Sequence, residues 1–69
     1  MPRAFRDALP RLRLDVLVYS SLAGDRLVFI NTRKYTEGQT VEGTLRLEAI
    51  TADGAILSYQ GERFLLPPP

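Results

Sequence analysis

From Leu12 the chain alternates strictly. Leu12, Leu14, Val16 and Val18 fall on one face, and Arg13, Asp15, Leu17 and Tyr19 on the other. A period of two puts successive side chains on opposite sides of an extended backbone, so the spacing predicts a half-buried β-strand. Ser20 to Asp25, with paired serines and Gly24-Asp25, then reads as a loop. Arg26 to Ile30 is apolar on both faces and belongs in the middle of a sheet. Asn31-Thr32 reverses the chain into Arg33-Lys34-Tyr35, and Thr36 to Gln39 turns again, with Gly38 suited to a positive φ. Thr40-Val41 is a short strand; after it Leu45, Leu47 and Ala49 alternate with Arg46, Glu48 and Ile50. Asp53-Gly54 is the clearest hairpin turn, leading into Ile56 to Tyr59, and Gln60-Gly61 leads into Glu62 to Leu66. Pro67 to Pro69 cannot donate backbone hydrogen bonds and end the sheet.

Five or six short strands with no convincing helix predict an all-β fold, a small antiparallel sandwich or open barrel. The expected core is Leu14, Val16, Val18, Leu27, Phe29, Leu45, Leu47, Ile56 and Phe64. Residues 1–11 form a flexible arm or linker remnant in which Ala4 to Leu9 allow one helical turn before Pro10. Residues 12–66 are then the β domain, and 67–69 a tail. A chain of 69 residues makes one domain, able to bury only about 60% of its unfolded surface.

Charge changes the picture only when divided. Residues 1–13 hold four arginines and one aspartate, net +3, whereas residues 14–69 hold five basic and seven acidic side chains, net −2. The folded part is mildly acidic, which argues against a nucleic-acid face on the fold itself. Without cysteine there is no disulfide or thiolate metal site, and without histidine a metal would need a carboxylate cluster that the sequence lacks. No metal or other cofactor is expected. No apolar run nears the roughly 20 residues of a membrane span, and the start Met1-Pro2-Arg3 opens no signal peptide.

Candidate chemistries fall away in turn. Ser20, Ser21 and Ser58 have no histidine base, Lys34 stands beside Arg33 on an exposed hairpin, and Asp53 and Glu48 sit apart in a turn and on a solvent face. The five glycines are spread one per turn rather than before a helix. An enzyme is not expected. Tyr19, Tyr35 and Tyr59 near strand ends, with Arg33, Lys34 or Arg63 nearby in sequence, leave open a nucleic-acid-binding small β-barrel that stacks bases; the alternative is tyrosines packed over the core edge. What remains is a strand edge. The first strand is long for so small a domain and comes first, placing it at an edge that either receives a partner strand or a second copy, or is covered from within the chain.

Taken in order, the motifs resemble one family. Tyr19-Ser20, Phe29-Ile30-Asn31, Arg33-Lys34-Tyr35-Thr36-Glu37-Gly38, Ile50-Thr51-Ala52-Asp53-Gly54 and Leu57-Ser58-Tyr59-Gln60-Gly61-Glu62-Arg63-Phe64 follow the pattern of the C-terminal periplasmic domain of general secretion pathway protein B. The similarity covers roughly residues 10–66. One departure is Thr32, where the family commonly has glycine; a β-branched residue is costly at positive φ, which sets Thr32 against a type I′ turn there.

The resemblance implies a non-catalytic component of type II secretion, a periplasmic domain of an inner-membrane-anchored protein, cut from a longer chain that holds the membrane segment. It implies a fold related to the homology region of protein C of the same machine. The implied partners are the secretin N-terminal periplasmic domain and the inner-membrane ATPase called protein A, with a homodimer open. By that analogy and the edge-strand argument, the partner-binding residues are Leu14, Asp15, Val16, Leu17, Val18 and Tyr19.

Overall fold

Seven antiparallel strands, two more than the lower expectation, build two sheets in a computed structural model that describes residues 11–69. The first sheet has the order β1 (Leu14–Val18), β2 (Leu27–Ile30), β3 (Arg33–Tyr35). The second has the order β4 (Thr40–Val41), β5 (Leu45–Thr51), β6 (Gly54–Tyr59), β7 (Glu62–Leu66). Neither sheet closes on itself, so the fold is a small all-β sandwich. A single 3₁₀ turn, Ala23–Asp25, lies in the loop between β1 and β2. The arm placed over residues 1–11 falls outside the described residues except for Arg11, and Pro67 to Pro69 carry no strand.

Local turn chemistry explains the hairpins. Asn31-Thr32 links β2 to β3 with φ of 52° and 68°, so both central residues take the positive φ of a type I′ turn despite the branched threonine. Side chains hold it there. The Asp15 carboxylate accepts the Thr32 N–H at 2.8 Å, Asn31 Oδ1 accepts the Arg13 N–H at 2.9 Å, and Asn31 Nδ2 donates at 2.8 Å to the Arg11 carbonyl and to Glu42. Gln60-Gly61, at 50° and 83°, repeats the geometry between β6 and β7. The expected Asp53-Gly54 turn sits one residue earlier. Ala52-Asp53 forms the loop, and Gly54 pairs with Thr51 as the first residue of β6.

The Asn31 cluster yields a graded prediction. Asn31→Gly removes three side-chain hydrogen bonds but keeps the backbone at ease, an expected loss of about 1 kcal/mol for partly exposed bonds. Asn31→Ala also places a Cβ at positive φ and should lose about 2 kcal/mol. Urea unfolding followed by circular dichroism separates the two; equal losses would assign the whole effect to hydrogen bonding.

The core consists of Leu14, Val28, Ile30, Tyr35, Val41, Leu45, Leu47, Ile50, Ala55 and Leu57. Leu14, Leu45 and Leu47 match the expectation; Val16, Val18, Leu27, Phe29, Ile56 and Phe64 do not. Leu27, Phe29, Ile56 and Phe64 are half-buried, and Phe64 packs against the core from its margin. Val16 and Val18 face outward. The reason is a register shift in β1 between Leu14 and Val16, where Asp15 is the extra residue. A second shift between Leu47 and Ala49 inverts β5, bringing Ile50 inward instead of Ala49.

Candidate docking edge

The β1 bulge divides the strand chemically. Before it, Leu14 is buried. At it, Asp15 turns its carboxylate to the Thr32 N–H and to Arg13 Nε at 3.0 Å. Beyond it, Val16 and Val18 pair with Phe29 and Leu27 on β2 while their side chains stand 43% and 41% exposed. Leu17, on the opposite face, packs against the core. Among the described residues β1 pairs on one side alone, so it is an edge, as the sequence predicts.

Tyr19 follows directly and is 49% exposed. Its ring lies under the Arg26 guanidinium, 4.9 Å from the centroid, a favourable cation–π geometry. Arg26 is fixed in turn. Its Nε donates to the Ser20 carbonyl at 2.6 Å, and its Nη1 lies 3.4 Å from Glu37 Oε2 in a half-buried ion pair. The same Glu37 oxygen accepts the Ile50 N–H of β5 at 2.8 Å. The end of the edge is therefore anchored to both sheets.

Of the six residues proposed from sequence, the structure presents three outward: Val16, Val18 and Tyr19. Leu14 and Leu17 serve the core, and Asp15 braces a turn. Two residues went unnoticed. Leu22, 66% exposed in the following loop, is a further exposed apolar side chain, and Arg26 stacks on Tyr19. Nothing in the sequence marks Leu22. Nothing in the sequence marks Arg26 either, since its partners Tyr19 and Glu37 lie in other segments of the chain, Glu37 11 residues on.

The base-stacking alternative loses its platform. Tyr35 is buried, Tyr59 packs against the core, and Tyr19, though half exposed, already holds Arg26 over one face of its ring. Among the described residues no group of three or more acidic side chains could hold a metal ion, and no helix is long and apolar enough to cross a membrane.

By fold and surface this is a small two-sheet, all-β module whose exposed apolar residues gather mainly on one edge unpaired among the described residues. Its sequence places it more closely. The family model for Type II secretion system protein B matches residues 9–68, and the chain belongs to that family. It is similar to General secretion pathway protein B of Klebsiella pneumoniae, 37% identical over 60 residues, covering 87% of this chain and 34% of that protein. It is also similar to General secretion pathway protein B of Dickeya dadantii (strain 3937), 36% identical over 58 residues, covering 84% of this chain and 26% of that one. The chain thus spans about a third or less of the length of these curated relatives. No solved structure gives a significant match. The family is named for a secretion system rather than for an enzymatic activity, and the chain is a component related to type II secretion.

Proposed function

We propose that this domain is a non-catalytic docking module of the type II secretion machinery, which helps assemble or position the outer-membrane secretin. The reading places it in the periplasm, as part of a protein anchored in the inner membrane. Its principal contact is the N-terminal periplasmic domain of the secretin, received along β1 and ending at Tyr19. The inner-membrane ATPase protein A acts as a second partner of the whole protein. One observation carries the proposal. Among the described residues β1 is paired on one side only, and Val16, Val18 and Tyr19 are exposed. Strand addition there gains backbone hydrogen bonds from the partner, and the alternate outward side chains supply selectivity.

An NMR titration of the isotope-labelled chain with the secretin N-terminal periplasmic domain tests the contact. Shifts concentrated in residues 14–20 are the expected result. Unchanged spectra at saturating concentration would overturn the secretin contact, and shifts confined to β4 through β7 would overturn its placement on β1.

A further inference from the structure

An exposed strand edge is a template for pairing with another chain, and folds ordinarily blunt such edges by shortness, charge or proline. Three of the four sheet edges here are blunted. β4 has two residues. β3 has three, of which Arg33 and Lys34 are exposed. β7 opens on Glu62-Arg63 and runs straight into Pro67 to Pro69. β1 is different: past its bulge the segment Val16-Leu17-Val18 carries no charge and no proline. The one charge in the strand, Asp15, is already engaged by Arg13 and by the Thr32 N–H.

The segment is also a palindrome. Val16-Leu17-Val18 reads the same in both directions, so an antiparallel pair with a second copy sets valine against valine and leucine against leucine across a self-complementary contact. We propose that β1 pairs antiparallel with β1 of a second copy about a two-fold axis at Leu17. Val16 then faces Val18 of the second copy, the same pair recurs on the other side of the axis, and Leu17 faces its own copy. Residues of equal parity oppose each other in this register, so both cores stay on one side of the joined sheet. The four valines form an apolar row on the outer face. A slip of one residue would place the core face of one copy against the outer face of the other, which the pleat penalises strongly. The joined sheet has six strands, β3-β2-β1 followed by the same three in reverse.

This inference stands without the secretin reading; where both hold, the two partners compete for one edge. The contact is small, well below roughly 1,200 Å², so association is expected only at about 0.1–1 mM chain. Sedimentation equilibrium of the 69-residue chain, carried to that concentration, should show the mass rising from one chain toward two. Val16→Lys puts a charge opposite Val18 of the second copy and should raise the dissociation constant about tenfold or more, following the use of lysine to guard natural edges. Val18→Lys is the second variant, and both positions are exposed enough to accept lysine with an unchanged circular dichroism spectrum. A monomeric mass throughout, or association unchanged in the folded lysine variants, overturns the proposal. Association without any secretin-induced shifts would remove the docking reading alone, and secretin-induced shifts in a strict monomer would remove the dimer alone.

Discussion

Gly54→Ala is expected to lower stability by about 3 kcal/mol or more, the sum of backbone strain and overpacking at one site. Gly54 opens β6 with φ of 137°, in a region that side chains with a Cβ rarely occupy. A Cβ built there would run into the carbonyl oxygen of Leu66, a backbone atom of the neighbouring strand. Neither problem relaxes cheaply, because moving Leu66 breaks the β6–β7 ladder where Ala55 pairs with it. A 69-residue domain has only about 3–10 kcal/mol in total, so the variant should be largely unfolded at room temperature. Gly38→Ala is the control. Its φ is also positive, at 90°, but its Cβ would meet open space, and the expected loss is about 1–2 kcal/mol. Circular dichroism with urea titration reads both; a Gly54→Ala midpoint close to wild type would show that β7 yields more easily than its pairing suggests.

The second large effect is a reversal within one strand. Leu57 is fully buried between the sheets, so Leu57→Ala should cost about 2–5 kcal/mol through lost contacts and a cavity. Ile56 is half-buried on the other face, paired with Leu65, and Ile56→Ala should cost about 1 kcal/mol. Denaturant midpoints of the two variants suffice as the check. Equal losses would mean that the outer face of β6 is covered as thoroughly as the inner one.

That reversal marks what the sequence made legible. Strand positions and most turns follow from alternation and from residues such as Gln60-Gly61, because these signals are local. Which face points inward is not local. In β2, Leu27 and Phe29 compete with Val28 and Ile30, and in β6, Ile56 competes with Leu57. Both faces are apolar, so parity is settled by the partner strand. In β1 and β5 the alternation is real but interrupted, and every residue past Asp15 or Glu48 changes sides. Leu17, an apolar residue on the supposedly polar face, was the visible trace of the first interruption. The same shift explains the candidate site. Its position at an edge was readable from length and order, but the outward set of Val16, Val18 and Tyr19 depends on one unpaired residue. The type I′ turn at Thr32 was obscured because its support, the Asp15 carboxylate, lies 17 residues away in sequence.

The oxygen of Glu37 that receives both Arg26 and the Ile50 N–H bears on how the domain comes apart. Arg26 leads into the first sheet and Ile50 lies in the second, yet among the described residues no strand of one sheet pairs with a strand of the other. A two-sheet protein can open sheet by sheet, each as its own cooperative unit; in this fold the segment after β3 is already tied to β5 by backbone bonds from Gly38 N–H to the Leu47 carbonyl and from Leu47 N–H to the Gln39 carbonyl. Here the opening of either sheet leaves a half-buried carboxylate with a lost partner. The shared carboxylate favours joint opening of the two sheets, and amide protons in β2 and β5 are expected to exchange through the same global opening.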